Sequence, residues 1–87
     1  VPATADDAGL VVDIDLSVLA LESSAYRAYT RNVRREYQWV PDNLFIEGRR
    51  QVLNTLMAMP TLYSHPTIIA AWETQARENM AAELRAL

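Results

Sequence analysis

From Tyr26 to the end of the chain, apolar residues recur at spacings of three and four, the repeat of a helix that buries one face. Tyr26, Tyr29, Val33, Tyr37 and Val40 trace one such face, with arginines over much of the remainder. Ser23-Ser24 offers this helix an N-cap, because a side-chain oxygen there can accept from the unpaired N–H groups of the first turn. The helix is expected to stop before Pro41, since the residue preceding proline is pushed out of the α region. Pro41 is placed to open the next helix, where its missing N–H costs nothing. Leu44, Phe45, Gly48, Val52, Leu53, Leu56 and Met59 form the apolar stripe of that helix, which Pro60 ends. Glycine inside a helix costs about 0.5–1 kcal/mol relative to alanine, and its place in the stripe predicts a second helix backbone crossing closely at Gly48. After a short connection over 61–65, Pro66 opens a last helix whose inward face is Ile69, Trp72, Ala76, Met80 and Leu84.

The stretch from Leu10 to Leu21 fits two patterns. Val12, Ile14, Leu16 and Val18 alternate with Asp13, Asp15 and Ser17 as in a half-buried strand, whereas Leu10, Ile14, Val18 and Leu21 recur at helical spacing. No second strand exists for a lone strand to pair with, so a helix is expected. The pattern therefore predicts an all-α fold, a four-helix bundle-like single domain over residues 1–87, with 1–7 as a tail.

Composition narrows what this domain can be. Eighty-seven residues with 51% hydrophobic content allow one core, and a core this small leaves room for a partner chain or an oligomer to add stability. Cysteine is absent, which excludes disulfides, thiolate metal sites and cysteine nucleophiles. The formal net charge is −3 with no basic block, which argues against nucleic-acid binding. The apolar runs are only a few residues long, so no membrane span is expected and the reading is of a cytoplasmic protein.

Candidate chemistry is sparse. His65 is the only histidine, so no two-histidine metal motif can form within the chain, and in a Tyr-Ser-His-Pro turn it more readily caps a helix or faces solvent. Gly9 and Gly48 are the only glycines, too few for a phosphate-cradling loop. Asp13 and Asp15 stand in an otherwise apolar segment, where carboxylates are costly to bury unless paired or metal-bound. On a strand they share a face and could bind one cation, on a helix they diverge; from periodicity alone, one capping or pairing with a nearby arginine and the other solvated is the favoured account. Arg27, Arg31 and Arg34 fall on neighbouring turns of one helix face, which could receive a phosphate or a carboxylate-bearing partner, or could simply be solvated. Trp39, Trp72 and the four tyrosines read as core or rim anchors, with room for one tryptophan at an interface.

Taken together, Val11-Val12-Asp13-Ile14-Asp15-Leu16-Ser17-Val18-Leu19, Tyr26 and Tyr29, Arg34-Arg35-Glu36-Tyr37, Val40-Pro41-Asp42, Gly48-Arg49, Val52-Leu53, Leu62-Tyr63, Trp72-Glu73, Ala76-Arg77-x-Asn79 and Glu83-Leu84 carry a resemblance. In order and spacing the chain from about Leu10 onward resembles the C-terminal half of a bacterial family of predicted metal-dependent HD-superfamily phosphohydrolases. The resemblance implies an all-α, HD-domain-like fold and, in the complete family member, a divalent metal such as manganese or magnesium, held by histidines and aspartates, that activates water against a phosphate ester. Of that ligand set only the late aspartate has a counterpart here, carried onto Asp15 with Asp13 as a support. The family's glycine after its Ile-Leu pair is Ala20. The resemblance thus implies a phosphohydrolase segment inactive alone, to be completed by a missing N-terminal half or a homo-oligomer. A non-catalytic helical module for protein–protein interaction or dimerisation is the alternative.

Overall fold

The computed structural model describes residues 16–87, and all the regular structure within them is helical. A single 3₁₀ turn, Ser17–Ala20, leads into three α-helices: α1 (Ser23–Glu36), α2 (Asp42–Met57) and α3 (Pro66–Ala86). The expected tail and residues 10–15 of the expected first helix lie outside the described residues. The remainder of that first element is not α-helical. Leu19 N–H donates to the Leu16 carbonyl and Leu21 N–H to that of Val18, the tight i to i+3 pattern, and Leu21 is already extended.

The cap of α1 sits one residue earlier than Ser23. Glu22 accepts from the Ser24 backbone N–H at 3.0 Å and from the Ser24 hydroxyl, and its negative charge suits the positive end of the helix. These bonds hold the Glu22 carboxyl below its ordinary range. At the other end α1 stops at Glu36, four residues short of the proline-imposed limit. Arg34 explains the early stop: its guanidinium donates to the carbonyls of Tyr37 at 2.8 Å and Val40 at 3.0 Å and pairs with Asp42 at 2.5 Å. A loop with satisfied carbonyls competes with the continued helix.

Pro41 serves as the N-cap of α2, not as its first residue. On α2 the row that faces the core is Arg49, Leu53 and Leu56, and only Leu53 on this helix is fully buried. Of the expected stripe, Leu53 and Leu56 do face the core and Phe45 is half-buried. Leu44, Gly48 and Val52 face outward instead, with Leu44 and Val52 about half exposed. An added Cβ at Gly48 would meet nothing within 4 Å, so the expected helix crossing there is not found.

Helix α3 opens at Pro66 as expected, with His65 Nδ1 accepting from the Thr67 N–H at 3.3 Å. Its Ala76 and Met80 are fully buried, and Ile69, Trp72 and Leu84 pack against the same cluster. That core draws on every element: Leu19 from the 3₁₀ turn, Tyr26 from α1, Leu53 from α2, Leu62 and Tyr63 from the connection, Ala76 and Met80 from α3. Tyr63 meets Trp72 edge to face at 5.6 Å.

Because Gly48 lies within a helix with open space beside it, Gly48→Ala is expected to stabilise the fold by about 0.5–1 kcal/mol. Urea denaturation followed by circular dichroism reads this directly; destabilisation would place a neighbour against that face.

Candidate functional site

Polar side chains tie the helices to one another across the core. Glu83 of α3 is the centre of the largest cluster. Its carboxylate accepts two bonds from Arg49 of α2, Nε to Oε2 at 2.6 Å and Nη2 to Oε1 at 3.0 Å, and one from the Tyr26 hydroxyl of α1 at 2.5 Å. The Arg49 and Glu83 side chains are only 13% and 10% exposed, and the Arg49 guanidinium lies 5.9 Å from the Tyr29 ring centroid. The paired carboxylate raises the Arg49 pKa further, and burial together with the bond to Glu83 raises that of Tyr26 well above the usual phenol range.

Two further clusters anchor the connections. Asn79 donates to the carbonyls of Leu19 at 2.9 Å and Leu21 at 2.7 Å while accepting from Gln75, and the Tyr63 hydroxyl donates to the Leu16 carbonyl at 3.0 Å. The segment that directly follows Asp15 is thereby tied to α3 and to the connection before it. Glu73 accepts from the backbone N–H groups of Leu62 and Tyr63 and from Arg77. Arg77 in turn donates to the carbonyls of Met57 and Met59 at 3.1 and 2.7 Å, supplying partners at the end of α2 that a helix terminus lacks.

Between α1 and α3 runs a cleft of about 550 Å³, lined by Tyr26, Arg27, Thr30 and Arg31 on one side and Glu78, Ala82, Glu83, Arg85 and Ala86 on the other. A second, more open groove between α1 and α2 is lined by Val33, Tyr37, Val40, Leu44, Phe45, Gly48 and Val52. Trp39, stacked obliquely on Tyr37, is 76% exposed near its rim, the rim position that two tryptophans in a short chain allow.

The expected site residues separate. Asp13 and Asp15 lie outside the described residues. Of the three arginines placed on one face, Arg27 and Arg31 line the α1–α3 cleft, whereas Arg34 is bound up with Asp42, two carbonyls and the face of Phe45, 4.6 Å away. His65 caps α3. Among the described residues no three His, Asp or Glu side chains gather in a way that could hold a metal ion, and no helix is long and apolar enough to cross a membrane. Spacing alone points to no role for Arg49, Asn79, Glu83 or Arg85. Arg85 could have been found on the row Glu78–Ala82–Arg85, which flanks the buried row of α3. No family model, curated protein or solved structure matches this chain.

The Tyr26 phenol gives this site a pH signature. In the unfolded chain it releases its proton near its ordinary pKa of 10.0, whereas the folded chain retains it to higher pH. The folded state therefore binds more protons above pH 10, and stability falls as pH rises through that range. The urea midpoint is expected to drop between pH 9 and pH 11, and less so in Tyr26→Phe. An equal drop in both proteins would mean that the phenol is not held protonated.

Proposed function

We propose that this chain is the C-terminal helical segment of a metal-dependent HD-type phosphohydrolase, one that contributes an aspartate ligand and its support but is inactive alone. The observation that carries the reading is the anchoring of the segment after Asp15. Tyr63 and Asn79, both within the motifs that carry the resemblance, hold the carbonyls of Leu16, Leu19 and Leu21. Arg49, Glu73, Arg77 and Glu83, further polar motif residues on α2 and α3, are likewise engaged in ties between elements. A ligand aspartate needs such a fixed backbone behind it, because metal geometry tolerates little displacement.

The described donors do not themselves make a metal site, so no chemical step is assigned to this chain. Asp15, with Asp13 in support, would be its contribution. A divalent cation there would lower the pKa of a bound water and offset charge on a phosphoryl group, with the remaining ligands supplied by an N-terminal half or by another copy of the chain. The second reading, a non-catalytic interaction module, is favoured by the exposed Trp39 beside the open apolar groove between α1 and α2.

Hydrolysis of p-nitrophenyl phosphate with added Mn²⁺ tests the proposal in two settings. The 87-residue chain alone is expected to show no turnover above buffer. When it is joined to a segment carrying an early histidine and a His-Asp pair, turnover should appear and fall by at least about 10-fold in Asp15→Asn. Turnover by the isolated chain that Asp15→Asn abolishes would overturn its inactivity. Joined-chain turnover indifferent to Asp15→Asn would overturn the ligand assignment and leave the interaction reading in place.

A further inference from the structure

Three of the eight arginines are committed to ion pairs: Arg34 with Asp42, Arg49 with Glu83, Arg77 with Glu73. The described residues give none to Arg27, Arg31, Arg35, Arg50 or Arg85, and of these five Arg27, Arg31 and Arg85 line the α1–α3 cleft. In a chain of net charge −3, three arginines without an ion pair among the described residues converge on one concavity.

The hydrogen-bond register fixes where these charges lie. Asn79 bonds Leu21 just before α1, and Glu83 bonds Tyr26 one turn in, so α1 and α3 run in the same sense along the cleft. Arg31 and Arg85 therefore stand at one end, with Arg27 one turn back on the same face of α1. Glu78 stands at the other end, seven residues before Arg85 on α3, which is about 10 Å along the helix. Glu83 does not neutralise the arginine end, because Arg49 and Tyr26 already occupy its carboxylate. Glu22, whose charge Arg27 helps to favour, is already bonded to Ser24. Ala82 lines the wall between the two ends, and Ala86 stands beside Arg85 at the arginine end.

We infer that this cleft is a binding site for a small organic oxyanion, its doubly charged head at Arg31, Arg85 and Arg27 and its apolar body along Ala82. Guanidinium groups present paired N–H donors that match phosphate and carboxylate oxygens alike, and three of them favour a dianion over a monoanion. The volume of about 550 Å³ suits a small molecule and far exceeds a bare inorganic anion. Glu78 repels a second anionic group at the far end, so the ligand carries its charge at one end only. The inference stands independently of the metal reading, since it uses neither Asp13 nor Asp15.

Calorimetric titration of the 87-residue chain with phenyl phosphate, inorganic phosphate and benzoate tests it. Saturable binding is expected in the order phenyl phosphate, then inorganic phosphate, then benzoate. Arg31→Gln and Arg85→Gln should each weaken phenyl phosphate by about 10-fold, the effect of one charge-assisted contact, while Arg50→Gln, an exposed arginine off the cleft, leaves it unchanged. All three side chains are exposed and outside the ion pairs, so the variants retain the fold. Absence of saturation up to about 10 mM phenyl phosphate, far weaker than the specific small-molecule range, would overturn the site. Equal weakening by Arg50→Gln would overturn its location, and benzoate binding as tightly as phenyl phosphate would overturn the dianionic head.

Discussion

Glu83 joins all three helices through the hydrogen bonds of one carboxylate. A carboxylate in so sheltered a place is tolerable only because its oxygens are filled: Arg49 approaches from α2 with two N–H groups and Tyr26 from α1 with its hydroxyl. The three partners determine one another's geometry. Moving α2 outward would strand the carboxylate, and rotating α1 would withdraw the phenol. The apolar core offers less direction, since among the described residues its seven fully sheltered side chains come one or two from each element. Burial supplies most of the driving force, while the polar cluster selects one arrangement among those that would bury similar area.

The same division of labour extends to the connections. Asn79 secures the 3₁₀ turn, Glu73 and Arg77 secure the passage from α2 to α3, and Arg34 secures the loop between α1 and α2. Each places a side chain against backbone groups that irregular segments would otherwise leave to water. Arginines so committed are unavailable to ligands, which is why the remaining ones matter for function. Their gathering in the α1–α3 cleft, and the exposure of Trp39 and the α1–α2 groove on another face, give the molecule two distinct surfaces with different chemistry.

Much of this organisation is legible in the sequence where a single residue carries the signal. Pro66 marks the start of α3, Pro41 the boundary before α2, and the spacing Ile69, Trp72, Ala76, Met80, Leu84 gives the inward face of the longest helix. On α2 the apolar pattern picks out Leu53 and Leu56, which face the core, but also includes Leu44, Gly48 and Val52, which do not, and gives no place to Arg49. Burial of Arg49 depends on Glu83, thirty-four residues later, and local periodicity carries no trace of that pairing. The early end of α1 was hidden for the same reason, since Arg34 finds Asp42 and two carbonyls only once the loop has formed. The pattern at the 3₁₀ turn fits strand and helix alike, and its carbonyls are held by the distant Asn79 and Tyr63. For the candidate site, Arg27 and Arg31 were visible as helix neighbours, whereas Arg85 joins them only through the register of α1 on α3.

The dependence of the fold on the Glu83 cluster is tested most directly by urea denaturation of Arg49→Met, which keeps the side chain's bulk and removes its charge. A buried carboxylate deprived of its partner predicts a loss of about 3–5 kcal/mol, or disappearance of the cooperative transition, with partial recovery when Glu83 is also replaced by Met. A single variant within about 0.5 kcal/mol of the parent, the range of an ordinary surface change, would contradict the account.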